Sequence, residues 1–412
     1  MSSAYREDAA ALSHAAAQPE RVSLWRLFTL FLRIGCTTWG GFMVFIAVVS
    51  KSLSARKIAT EEDITDAIMV AQILPGPVAV DMTVAIGYRL RGLPGAAVSW
   101  LGSVLPSFIV VTTLSILYLT YGSNPNVKSV FMAFPSAMVA IVAVAAYEMG
   151  RKQIKDAAGA AIGVLACLAI ILQGIFRPGW WWVTLAIVFV AGFAGWLLYR
   201  GKGPKAAPPP APAAAPKKAL SIAPFGIALF PALGAGMLWK IFITFAVMSI
   251  SLFGSGYVFI PIIKSHLVKE LHWLTTDEFS AGLALTQITP GPILMTAAFV
   301  GVKMAGLPGA IAGTLGMFVP PAILTLIAAH SLQTIKKSTA ITSALRGVRP
   351  AVVGMLFAAA IVVGESMPHD TVYQVCISAA ILVAALIALI RLRVEVALVI
   401  PMAGIAGLVL FR

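Results

Sequence analysis

Two phrases nearly half the chain apart carry residue types that bind anions without a cationic side chain. Gln72-Ile73-Leu74-Pro75-Gly76-Pro77 returns as Gln287-Ile288-Thr289-Pro290-Gly291-Pro292. Pro75 and Pro290 cannot donate a helical hydrogen bond and clash with the preceding turn, so each stops a helix. Gly76 and Gly291 allow the turn, and Pro77 and Pro292 suit the first position of a new helix. The amides that follow have no intrahelical acceptor, and each new helix start carries an effective charge of about +0.5. Such ends bind oxyanions, and two of them close together suit a dianion. Gln72 and Gln287 add amide donors near each break, while Thr83, Thr289 and Thr296 add hydroxyls unless they bond their own backbone.

A second matched pair, Gly40-Gly41-Phe42 and Gly254-Ser255-Gly256-Tyr257, either lets a backbone or substrate approach or serves as a small-residue helix contact. Gly92-Leu93-Pro94-Gly95 and Gly306-Leu307-Pro308-Gly309 read as turns between helices. Among ionisable residues, Asp81 follows the first break by four positions and has no acidic counterpart in the second half. It can carry a proton or sodium ion, or pair with Arg33 or Arg89. Arg89 aligns with Lys303 across the repeat; Arg33, Arg89 and Lys303 are candidates for charge or coupling roles, against the competing reading that long cations near helix ends snorkel to the interface. Histidine spacing fits no metal site, and Cys36, Cys167 and Cys376 lie too far apart for a zinc site or a disulfide framework. No cofactor and no catalytic residue are expected.

The elements that must position these residues are membrane helices. Hydrophobic residues make up 59% of the 412 residues and charged ones 11%, where a soluble chain carries about 25% charge; mean hydropathy is +0.93. Apolar segments recur near 27–49, 64–88, 96–120, 127–147, 157–176 and 180–199, and again near 240–263, 279–302, 308–330, 340–363, 372–390 and 394–411. Each is long enough to cross a hydrocarbon core of about 30 Å. The first twenty residues lack an apolar run, so no cleaved signal peptide is expected. The chain divides into an N-terminal tail (1–24), a first membrane half (25–200), an Ala/Pro/Lys-rich linker (201–218), an extra apolar stretch (219–237) and a second half (238–412). The Pro-Gly-Pro breaks interrupt matching segments of the two halves, which is the mark of a central transporter site; ordinary proline kinks are the competing reading.

The net charge of +14 comes from 30 Lys and Arg against 16 Asp and Glu. In a membrane chain these cations set orientation rather than bind nucleic acid. With the N-terminus cytoplasmic and thirteen crossings, Arg89, Arg91, Arg151, Lys152, Lys264, Lys269 and the linker cations fall inside, while Lys51, Arg56, Lys57 and Lys303 fall outside. The alternative is ten crossings plus two re-entrant hairpins with the extra stretch not crossing, which moves the N-terminus outside and brings Lys51, Arg56 and Lys57 inside at the cost of Lys264 and Lys269. Both arrangements invert the halves. The expected fold is therefore an all-α polytopic membrane protein with two inverted homologous halves.

Gly-Gly-Phe, Pro-Gly-Pro and Gly-Leu-Pro-Gly in series, and in duplicate, resemble the long two-domain bacterial members of the chromate ion transporter family. The resemblance runs from about Trp25 to Leu119 and from about Leu238 to Leu332, and more loosely over the remaining spans. Gly-Ser-Gly-Tyr at 254–257 departs from the longer glycine run common in that family. The resemblance implies secondary export of chromate across the bacterial inner membrane, conferring resistance, with sulfate as a competing analogue. The residues alone support an anion carrier in contact with membrane lipid. Other oxyanion carriers, an anion channel and, more remotely, a membrane-embedded enzyme remain as rivals. The chain carries no G-x-x-x-x-G-K-[ST] phrase for ATP, and its oligomeric state, including a homo-oligomer, is left open.

Overall fold

The computed structural model describes residues 22–39, 42–176, 182–200, 235–254, 256–330 and 338–411. The linker at 201–218, nearly all of the extra stretch at 219–237, and Gly40 and Gly41 lie outside them. The described residues form helices and no strand. In the first half these are α1 (Leu24–Thr37), α2 (Phe42–Ala55), α3 (Glu61–Ile73), α4 (Val78–Tyr121), α5 (Pro125–Met132), α6 (Phe134–Gln153), α7 (Ala157–Phe176) and α8 (Trp182–Tyr199). The second half has α9 (Ala235–Ile250), a short helical run of mixed pitch from Gly256 to Glu270 whose α-helical part is α10 (Phe259–Ile263), and α11 (Thr276–Gln287). It continues with a 3₁₀ turn (Ile293–Met295) leading into α12 (Thr296–His330), then α13 (Thr339–Gly364), α14 (Val372–Ile390) and α15 (Val396–Leu410). Seven helical stretches are long and apolar enough to cross a bilayer. The outer helices turn large apolar side chains outward, among them Leu165, Phe189, Val190 and Ile405, as a lipid-facing surface requires. This is a multi-pass membrane protein.

The expected one-pass crossing through each Pro-Gly-Pro phrase is not what the chain builds. Were α3 and the start of α4 collinear, Asp63 and Arg89 would stand about 39 Å apart at 1.5 Å per residue. Instead the Arg89 guanidinium bonds Asp63 and, at 2.7 Å, Asp66. The two helices are therefore antiparallel, with the Pro-Gly-Pro at their tip. Lys303 binds Glu278 at the matching position of the second half. The carboxylates are set by equivalent capping boxes, Thr60 with Asp63 and Thr275 with Glu278, so one side chain both starts a helix and anchors its return partner. The expected option of an Arg89–Asp81 pair is thereby replaced, because Arg89 is spent at the hairpin base.

The segment expected at 27–49 also doubles back. Arg91 Nη1 donates to the Val22 carbonyl at 2.9 Å, and Ser54 Oγ meets Glu61 Oε1 at 2.7 Å, so both ends of the α1–α2 pair lie beside the first hairpin base. In the second half Lys240, early in α9, lies 6.0 Å from the ring centroid of Trp273, just before α11.

The Gly-Leu-Pro-Gly phrases turn each long helix sharply. Gly92 (φ 64°) and Gly306 (φ 61°) split α4 and α12 into a short and a long arm. The arms then pack backbone to backbone, Gly87 on Gly95 and Gly301 on Gly309, with no room for a side chain. The long arms interlock the halves. Ser107 Oγ donates to the Pro290 carbonyl at 2.6 Å, and Gly76 packs against Pro321. Tyr118 packs against Phe299 at 5.8 Å between centroids, while Val84, Tyr88 and Ala96 cluster with Ala322, Leu326 and Ala329. Around this centre α13 packs on α7 and α8 through Gly354 on Gly163 and Gly347 on Gly195, the small-residue contacts that let membrane helices approach closely.

Candidate functional site

The two hairpin tips open onto one cavity of about 560 Å³, open solvent at its mouth included. Gly76 (φ 138°) and Gly291 (φ 114°) make the two turns in a region that only glycine enters without strain. A Cβ on Gly76 would strike Pro321, and one on Gly291 would strike Ser107 Oγ. Beyond each turn a helix begins without a side-chain cap, at Pro77 and at Pro292. The Pro77 carbonyl takes the N–H groups of Val80 and Asp81, and the Pro292 carbonyl takes that of Met295. The amides of Val78, Ala79, Ile293 and Leu294 are given no acceptor within the described residues, and all four residues line the cavity.

Thr38, at the end of α1, and Tyr257 supply the side-chain hydroxyls of the lining, while Phe45, Val80, Ile293 and Leu294 supply apolar wall. Among the described residues no lysine or arginine lines it. Donors fixed in a mostly apolar wall interact more strongly with an anion than the same donors in water. The Thr38 hydroxyl is buried without a hydrogen-bond partner. Behind the wall, Tyr257 Oη lies 3.5 Å from Gln287 Oε1, and Gln287 Nε2 is buried without an acceptor. Unmet buried donors cost free energy that an oxyanion ligand would recover.

A family model described as chromate transporter matches residues 25–196 and again 239–408. The chain belongs to the chromate transporter family. It is 28% identical to a chromate transport protein of Pseudomonas aeruginosa, over 99% of this chain and 97% of that one. It is also 28% identical to a chromate transport protein of Cupriavidus metallidurans, with 83% of each chain covered. A probable chromate transport protein of Synechococcus elongatus is 29% identical over 84% of this chain and 86% of that protein. No solved structure matches.

Of the family chain's expected residues, Pro77, Gly254, Gly256, Gly291 and Pro292 line the cavity, and Pro75, Gly76 and Pro290 form the turns behind it. Gly254 (φ 82°) bends the backbone between α9 and the Gly256 turn. Gln72 departs from its counterpart Gln287 and is exposed. Thr83, Thr289 and Thr296 bond the backbone carbonyls three residues before them, of Val80, Thr286 and Ile293. Arg33 sits on the exposed side of α1, and Arg89 and Lys303 are paired at the hairpin bases. Asp81 is fully buried beside the first tip. Thr38 and Ser107 were not singled out by sequence, and Tyr257 entered only as the last residue of the Gly254–Tyr257 phrase. Thr38 and Tyr257 flank the glycine phrases, which is a usable signal; Ser107 carries none beyond its neighbour Pro106.

Proposed function

We propose that this chain is a secondary transporter that exports chromate across the bacterial inner membrane and thereby confers chromate resistance. The observation that carries this reading is the convergence of two uncapped helix starts, one from each half, on a single cavity. A tetrahedral dianion can accept from the amides of both tips at once, and the Thr38 and Tyr257 hydroxyls belong to the same lining. Sulfate, with the same shape and charge, would compete. With the cell interior negative, outward movement of a dianion gains about 4.6 kcal/mol per 100 mV, at about 2.3 per charge.

In this reading each Pro-Gly-Pro hairpin is re-entrant, and the two enter from opposite faces so that their tips meet near the bilayer middle. Four contacts support the inversion. Tyr118, at the far end of the long arm of α4, packs beside the second hairpin at Phe299, whereas the cluster of Val84, Tyr88 and Ala96 near the start of that arm packs with Leu326 and Ala329, far from the second base. Lys269 donates to the Gly174 carbonyl at the end of α7, and Lys264 binds Glu365 at the end of α13. These assign Lys128, Lys264, Lys269 and Lys303 to one face, and Lys51, Arg56, Lys57, Arg89, Arg91, Arg151, Lys152, Arg391 and Arg393 to the other. The second face is the cytoplasmic one by the positive-inside rule. In this reading the N-terminus is cytoplasmic, as in the thirteen-crossing expectation, while Lys51, Arg56 and Lys57 face inward and Lys264 and Lys269 outward, as in the re-entrant alternative.

Inverted membrane vesicles carrying the protein should accumulate labelled chromate in a potential-dependent, saturable way, with counterflow, and sulfate should reduce the accumulation. Uptake no greater than in empty vesicles would refute export, and flux without saturation or counterflow would indicate a channel.

A further inference from the structure

Asp81 occupies the first turn of α4, directly behind the amides that face the cavity, and is 0% exposed. Neither carboxylate oxygen has a hydrogen-bond partner of ordinary geometry. A Cβ on Gly76 would fall 2.5 Å from Asp81 Oδ2, so the carboxylate lies against the Pro-Gly-Pro turn itself; the Thr325 hydroxyl stands beside it. The charged groups of the elements packed on α4 are engaged or turned away. Asp63 and Asp66 of α3 hold Arg89, and Glu278 of α11 holds Lys303. Arg26 and Arg33 of α1, Lys51 of α2, Glu61 and Glu62 of α3, Asp277 of α11 and His330 of α12 are exposed. The equivalent position in the second half is Thr296, whose hydroxyl bonds the Ile293 carbonyl at 2.8 Å. The first tip alone therefore carries a titratable group.

An ionised carboxylate here has no paired cation and no solvent, a state that buried acids relieve by taking a proton. It also draws on the same positive helix end that the anion uses. Two negative groups sharing one pole oppose each other, so anion binding favours the protonated acid and protonation favours the anion, by the same factor. A metal cation is a poorer occupant, since no cluster of three or more His, Cys, Asp or Glu side chains is present among the described residues.

Resting on the transport reading above, we propose that Asp81 is the proton-binding residue of the carrier, protonated when the site holds the dianion and ionised when the site is empty. One proton is bound from the side where the anion enters and released where it leaves. Each cycle then moves one net negative charge instead of two.

The test is the membrane potential that nulls labelled chromate flux in proteoliposomes, in alkaline buffer where chromate is the dianion. For one net charge, a tenfold chromate gradient is nulled by about 59 mV, and a one-unit pH gradient shifts the null by as much again; two charges give about 30 mV and no shift. The unsubstituted protein should follow the first pattern and Asp81→Asn the second, with the Asn variant insensitive to pH. A two-charge null in the unsubstituted protein would overturn the proposal even if Asp81→Asn fails to fold. The same proton coupling in Asp81→Asn would overturn it too, by placing the proton elsewhere. Absence of any flux in the unsubstituted protein would instead overturn the transport reading and this proposal with it.

Discussion

Gly291→Ala should disable transport far more than its single methyl group suggests. Holding alanine at φ 114° costs about 1–3 kcal/mol. The new Cβ would also sit on Ser107 Oγ, forcing that hydroxyl off the Pro290 carbonyl it meets at 2.6 Å. Losing that buried hydrogen bond costs about another 1 kcal/mol. If the assembled tip is destabilised by about 2–4 kcal/mol, kcat/KM falls roughly 30- to 700-fold at about 1.4 kcal/mol per tenfold. Gly306→Ala is the control, because its φ of 61° carries similar strain but nothing stands within 4 Å of the new Cβ. That variant should lose yield or thermal stability while its folded fraction transports within about threefold of the parent. Adding Ser107→Gly to Gly291→Ala removes the collision but leaves both the strain and the missing hydrogen bond, so most of the loss should remain. The assay is initial chromate uptake into inverted vesicles, normalised to folded protein by fluorescence-detected gel filtration. The reasoning fails if Gly291→Ala transports within threefold of the parent, or if both alanine variants lose the same amount per folded molecule.

Gln287→Leu removes a buried amide behind the cavity and should raise the KM for chromate at least about tenfold, while the exposed Gln72→Leu should change it less than about twofold; concentration series on the two variants decide this. Lys303→Ala frees Glu278 at the second hairpin base and should destabilise the protein by about 1–2 kcal/mol, whereas Lys303→Arg should keep most of that, read as thermal midpoints in detergent. In a background with its three cysteines replaced, Glu62→Cys should react with an impermeant thiol reagent only from the cytoplasmic side and Asp277→Cys only from the opposite side. Labelling of both from one side would defeat the inverted arrangement.

Much of the fold was legible in the sequence because helix punctuation is local. Pro75, Pro290 and the glycines after them stop helices wherever they occur; the capping boxes at Thr60 and Thr275, which start the inbound helices, are just as local but were not read from the sequence. Apolar content identified the membrane as solvent. Whether a broken segment continues or folds back is not local. That choice rests on Arg89 reaching Asp63 and Lys303 reaching Glu278, pairs 26 and 25 positions apart in sequence. A charge count cannot choose between segments that all cross and segments that fold back; under the proposed re-entrant reading, the doubled-back α1–α2 pair sets the side of Lys51 and the return of the chain from α9 through the Gly256 run sets that of Lys264.

The site was legible where backbone makes it and illegible where packing chooses the side chains. The residues after each Pro-Gly-Pro line the cavity with amides that lack a backbone acceptor, because a helix restarted by that turn leaves its first N–H groups unpaired. Gln72 and Gln287 occupy matching positions, yet the first is exposed and the second buried beside Tyr257, because their surroundings differ. Ahead of the first tip come α1 and α2, with Thr38 and Phe45 at their break; ahead of the second come Gly254 and the Gly256 turn, which bring Tyr257 forward. Duplication therefore implies a symmetric scaffold without implying symmetric chemistry. Only the first tip has an acid behind it, and only the second has an unpartnered buried amide side chain. A carrier made of two equal halves would lack such a directional difference between its tips. Asp81 and Gln287 supply one, and the proposed charge-per-anion measurement on Asp81→Asn reads whether the cycle uses it.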